Sequence, residues 1–112
     1  MDVRRLTVIA TVPNMPRSEI DLRLPGAEVV VKGIDDLAQG IESHESLLVS
    51  IGAPRLRRLG LQITEPFPEP EHRLYELLRS EHGDAAHSRY NALVRRLVSF
   101  ERAAGTTGAP RA

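Results

Sequence analysis

The spacing of apolar positions changes once along this chain. Up to Gly33 the alternation is that of β-strands. Residues 5–12, RLTVIATV, are rich in β-branched side chains and apolar on both alternating faces, with Leu6, Val8 and Ala10 on one and Ile9 on the other, as in a central strand. Residues 18–24, SEIDLRL, alternate cleanly, with Ile20, Leu22 and Leu24 inward and Glu19, Asp21 and Arg23 outward, which predicts a strand with one wet face. Pro25-Gly26 predicts a turn, and residues 27–33, AEVVVKG, a third strand. The order implies a three-stranded antiparallel meander over 1–33. Its first two strands are joined by the loop 13–18, PNMPRS, which is long for a hairpin and could be a binding loop or simply a wide connection.

From Ile34 the period is helical. Ile34, Leu37, Ile41, His44, Leu48 and Ile51 fall at spacings of three and four, one face of a helix of about five turns. Gly40 inside it costs about 1 kcal/mol relative to Ala, so a break near 40–43 is compatible with the pattern. Pro54 disfavours helical geometry in the residue before it and suits the first position of a new helix. The long helix is therefore expected to end at Gly52-Ala53, with PRLRRLG as a separate short helix closed by Gly60. Residues 61–67, LQITEPF, could add a short edge strand, and Pro66, Pro68 and Pro70 make 66–70 an extended connector.

The remainder reads as a helical hairpin over 71–105. A first amphipathic helix, from Pro70 to about His82, turns Leu74, Leu77 and Leu78 inward; Gly83 suits its C-terminal cap and Asp84 the N-cap of the next. In the last helix Ala86, Tyr90, Leu93, Leu97, Phe100 and Ala104 form an unbroken stripe, and Val94 and Val98 widen it. Residues 106–112 read as a disordered tail. The expected architecture is a single α+β domain over 1–105. In it the meander (1–33) packs on a long helix within a helical segment (34–65), and the connector and the C-terminal hairpin follow.

Composition narrows the chemistry. At 112 residues the chain holds one modest core, and with only two Phe and two Tyr that core is mostly Leu, Val and Ile. Fifteen basic side chains balance fifteen acidic ones, so nucleic acid or an anionic membrane would have to be met by a local patch. The absence of cysteine removes disulfides, thiol nucleophiles and thiolate zinc sites, and suits a cytoplasmic protein. The opening MDVRRLTVIATVPN resembles a signal peptide, but its apolar run ends too soon at Pro13 and Asn14. No stretch approaches the roughly 18 apolar residues of a membrane span.

Candidate sites are few. SLLVSIGAPRLRRLGL, 46–61, has the helix, glycine and arginine-bearing second helix of a helix-turn-helix, with Arg55, Arg57 and Arg58 as candidate nucleic-acid contacts. Against it, the second helix is barely two turns long and the chain has no net positive charge. His82 and His87 flank GDAA beside Glu81 and Asp84, but their spacing matches no metal motif, so no metal is expected. His44 is expected to be a partly buried, hydrogen-bonded histidine; with the 13–18 loop it is the candidate lining of a pocket. Glycine-rich phosphate loops and nucleophile elbows are missing, so catalysis and cofactors are not expected.

Residues 24–41, LPGAEVVVKGIDDLAQGI, are similar to the stretch of HicB-type antitoxins in which a Leu-Pro-Gly turn leads through a short strand to an acidic-capped helix. Leu24, Pro25 and Gly26 match, while Ala27 stands where that family usually has cysteine and the strand is longer. The resemblance implies an antitoxin-like regulator. The apolar stripe of the last helix carries the leading expectation, a non-catalytic regulatory protein that associates with itself, as a dimer, or with a protein partner. Its interface would be Tyr90, Leu93, Val94, Leu97, Val98 and Phe100. DNA binding and a small enzyme or ligand-binding domain are the alternatives.

Overall fold

The structure is a computed structural model in which residues 20–107 are described. Over these residues it is helical: α1 (Ala27–Ala38), α2 (His44–Arg58), α3 (Pro70–His82), a single 3₁₀ turn (Gly83–Ala85) and α4 (Ala86–Thr107). No strand occurs among the described residues, so the expected α+β meander is corrected to an all-helical arrangement. The first expected strand, 5–12, and the 13–18 loop lie outside the described residues.

Over its described residues, 20–24, the second expected strand is a turn. Leu24 N–H donates to the Asp21 carbonyl at 3.0 Å, and the Asp21 carboxylate accepts from Arg23 N–H at 3.0 Å and from the Arg23 guanidinium. An aspartate that bonds the backbone two residues on folds the chain back on itself, whatever the alternation around it. Leu22, expected inward, is 67% exposed.

The third expected strand is α1. Its three consecutive valines favour a strand by propensity, but Ala27, Val30, Gly33 and Leu37 recur at helical spacing and are all buried, and that burial overrides the propensity. Gly26, at φ 77°, starts the helix from the left-handed region. A Cβ there would lie 2.5 Å from the Arg96 carbonyl oxygen and 3.4 Å from Phe100 Cβ, so Gly26 also lets α1 begin against α4.

The single long helix expected from Ile34 to Ile51 is two helices. Gly40 (φ 73°) ends α1: its N–H bonds the Leu37 carbonyl and Ile41 N–H bonds the Asp36 carbonyl at 2.8 Å, the paired bonds of a Schellman stop. α2 then restarts from a reciprocal cap. Ser46 N–H donates to Ser43 Oγ at 3.1 Å while Ser43 N–H donates to Ser46 Oγ at 2.8 Å.

Asp36 fastens the two helices together. It accepts from Lys32 Nζ at 2.6 Å and from Ser43 Oγ at 2.7 Å, and those two bonds hold its carboxyl below the usual range.

α2 does not stop before Pro54 but runs through it to Arg58. An interior proline costs about 3 kcal/mol, and burying a leucine side chain returns roughly 1.5–3 kcal/mol. α2 buries Leu47, Leu48 and Leu56 completely, with Val49 and Ala53, so tertiary packing outweighs the proline. Gly60 (φ 97°) closes the helix, with Gly60 N–H on the Arg57 carbonyl and Leu61 N–H on the Leu56 carbonyl.

The expected edge strand at 61–67 is instead an extended strap doubling back along α2. Leu61 and Ile63 are buried, Phe67 N–H donates to the buried Ser50 hydroxyl at 3.0 Å, and the Arg57 guanidinium caps the Ile63 and Thr64 carbonyls, each at 2.9 Å.

α2 is thus the central helix. α1 packs antiparallel to it, with Gly33 at the crossing: a Cβ at Gly33 would collide with the Glu45 carbonyl oxygen and Val49 Cγ2. Because one obstacle is backbone, Gly33→Ala should lower stability by about 1–3 kcal/mol despite alanine's better helix propensity, read as the midpoint of urea unfolding. α3 crosses the N-terminal half of α2, where His44 Nε2 lies 2.8 Å from Glu81 Oε1 and Arg73 lies 3.3 Å from Glu42. α4 packs on α3, with Tyr75 and Tyr90 edge to face at 5.9 Å, and then runs along α2. No helix among the described residues is long and apolar enough to cross a membrane.

Candidate interaction face

α2 and α4 lie side by side and parallel. A Cβ at Gly52 would lie 3.0 Å from Leu97 Cδ2, Arg55 Nη1 is 3.9 Å from Glu101 Oε1, and a Cβ at Gly105 would lie 3.9 Å from Leu59 Cδ2. These contacts advance in the same direction on both helices. On α4, Leu93, Arg96 and Phe100 lie toward α1, since Phe100 packs at Gly26 and Arg96 pairs with Glu28.

At 100° per residue, the side of this helix pair turned away from α1 carries Ile51, Arg55 and Arg58 from α2, and Val94, Val98, Arg95 and Arg102 from α4. Ile51 and Val94 are half-buried against the chain's own core, Val98 is half-buried, and the four arginines are exposed.

The expected partner interface therefore divides. Leu97 and Phe100 are 2% and 1% exposed within the chain itself, so they belong to its own core. Tyr90 and Leu93 are half-buried against that core, Tyr90 beneath Tyr75 and Leu93 on the α1 side. Val94 is also half-buried against that core, and Val98 alone of the six lies outside it. The stripe has less spare apolar surface than its width suggests, because α1, which the sequence pattern made a strand, covers part of it.

The three candidate nucleic-acid arginines also separate. Arg57 faces the strap and is spent on its carbonyls, while Arg55 and Arg58 face outward. The helix-turn-helix reading needs a turn at Gly52-Pro54, and α2 is continuous there. His44 is hydrogen-bonded to Glu81, and His82 Nε2 lies 3.7 Å from the same carboxylate oxygen. Among the described residues no group of three His, Cys, Asp or Glu side chains could hold a metal ion. A half-open depression of about 320 Å³ is lined by Tyr75, Arg79, Gly83 and Asp84.

Sequence reasoning missed Glu101. Its side chain is 10% exposed, wedged against Gly52, and its Oε2 atom is buried with no hydrogen-bond partner. Burial pushes its carboxyl up, and Arg55 only partly offsets this. The available signal is its place one turn beyond Leu97, a lone acid at the edge of an apolar stripe.

Because its folded pKa lies above the unfolded value of about 4.3, the ionised carboxylate opposes folding at neutral pH. That opposition fades as pH falls through the folded pKa. Glu101→Gln should therefore raise the melting temperature at pH 7, and the gain should shrink toward pH 4 in parallel melts. Comparison with protein-family models, with curated proteins and with solved structures gives no match, and the chemistry of this face stands on its geometry alone.

Proposed function

We propose that this chain is a non-catalytic protein-interaction module that works as a subunit of a complex, with the α2/α4 face as its contact surface. One observation carries the reading: Val98, half-buried and outside the chain's own core cluster, lies among exposed arginines on the side of α2 and α4 turned away from α1. Arginine around an apolar centre is the composition of protein contact surfaces. A cytoplasmic setting fits the absence of cysteine.

The test is position-specific photo-crosslinking in cells of the source organism, with the crosslinkable residue at Val98 or, as control, at the exposed Glu76 of α3. A discrete adduct from position 98 that is absent from position 76 is expected. No adduct from position 98, or the same adducts from both, would contradict the reading.

A further inference from the structure

We infer that the depression over the C-terminal half of α3 and the 3₁₀ turn after it binds a small aromatic zwitterion, an aromatic α-amino acid being the simplest of the class. The inference goes beyond the proposed function and uses none of the α2/α4 face. At about 320 Å³ the depression lies at the small end of the range of ligand sites, about 300–1,000 Å³.

Its lining follows one side of α3. Tyr75, Arg79 and Gly83 recur at intervals of four, so they succeed one another along the helix, and Asp84 stands just beyond them. From Tyr75 to Gly83 the line is about 12 Å long at 1.5 Å per residue. Gly83 (φ 56°) ends the helix, and a Cβ built on it meets nothing within 4 Å, so the space beside it is empty.

The lining residues offer three different chemistries. Tyr75 is half-buried and held edge to face against Tyr90 at 5.9 Å, which makes its ring a fixed apolar wall. Arg79 presents an exposed guanidinium and Asp84 an exposed carboxylate. Among the described residues neither side chain has a hydrogen-bond or ion-pair partner, and the two are not paired with each other. By contrast, Arg73 and Glu81 of the same helix are paired across to Glu42 and His44.

Those two free charges of opposite sign select the occupant. A simple anion drawn to Arg79 meets Asp84, and a simple cation drawn to Asp84 meets Arg79. A molecule that carries both charges satisfies both. Its cation also lies at the C-terminal end of α3, where the last carbonyls and the helix dipole favour positive charge. The order along α3 is ring, cation, anion, and an aromatic amino acid answers it in turn. Its ring packs on Tyr75, its carboxylate accepts from the Arg79 guanidinium, and its ammonium donates to the Asp84 carboxylate.

The experiment is titration of the full chain with L-phenylalanine and L-tryptophan, followed by backbone proton and nitrogen chemical shifts. Saturating shifts of the Gly83 and Asp84 amides are expected, with a Kd of about 1 mM or tighter. Phenylpropionate, which lacks the ammonium, phenylethylamine, which lacks the carboxylate, and L-alanine, which lacks the ring, should each bind at least threefold more weakly. Arg79→Gln and Asp84→Asn should each weaken L-phenylalanine at least threefold, while Arg58→Gln on α2 leaves it unchanged.

No saturating shift with either amino acid up to about 10 mM, analogues that bind as tightly as L-phenylalanine, or full binding in both variants would each overturn the inference. The analogue series is read on the parent chain, so it decides the question even where a variant is unfolded. None of these results alters what crosslinking from position 98 says of the interaction module.

Discussion

Phe100→Ala should lower the unfolding free energy by about 3–5 kcal/mol, the usual cost of deleting a buried aromatic ring. Phe100 is 1% exposed and packs where α1 begins, its Cβ 3.4 Å from where a Cβ at Gly26 would sit. With a total stability of about 5–15 kcal/mol for a domain, the loss leaves a large unfolded fraction near the lower end of that range. The measurement is urea unfolding at two protein concentrations tenfold apart. A core residue lowers the midpoint equally at both. A residue that acts only between copies would leave dilute protein unchanged, and a shift under about 1 kcal/mol would place Phe100 outside the core.

Leu47→Ala carries the second large effect, about 2–5 kcal/mol. The one-sided helix expected from the 34–51 spacing puts Ile41 on its inner face and leaves Leu47 off it. In the structure Leu47 is 0% exposed and Ile41 is 45% exposed. The difference arises because α2 is covered by α1, by the strap, by α3 and by α4, so successive residues 46–50 are all buried and no single stripe describes them. Ile41→Ala, by contrast, should stay within about 0.5 kcal/mol of the parent, as surface changes do. Chemical unfolding of the two variants side by side checks both values; the reverse order would restore the one-sided helix.

The C-terminal half of the fold is legible in the sequence because its signals are local. Pro70 opens α3, Leu74 and Leu78 are buried, Gly83 (φ 56°) ends the helix, and Ala86, Leu97, Phe100 and Ala104 line the core side of α4.

The N-terminal half is misread where local and tertiary forces disagree. Val29, Val30 and Val31 favour a strand, and burial against α2 makes them helical. Alternation over 20–24 is too short to outweigh the Asp21 turn. Pro54 looks like a boundary until the burial of Ala53 and Leu56 around it is known.

Within the candidate face, the arginines and valines are visible as letters, but their division into core and outward sides depends on where α1 packs. Glu101 is invisible as an orphan, since nothing in its neighbours along the chain shows which helix will close over it.

The central claim is that α4 divides between a sealed core side and an outward contact side, and that Leu97 and Val98, adjacent in sequence, fall on different sides of the division. Thermal unfolding of Leu97→Asp and Val98→Asp tests this directly. The structure predicts that Leu97→Asp abolishes cooperative unfolding by burying an unpaired charge, while Val98→Asp melts within a few degrees of the parent. Equal destabilisation of the two variants, or a stable Leu97→Asp, would contradict it.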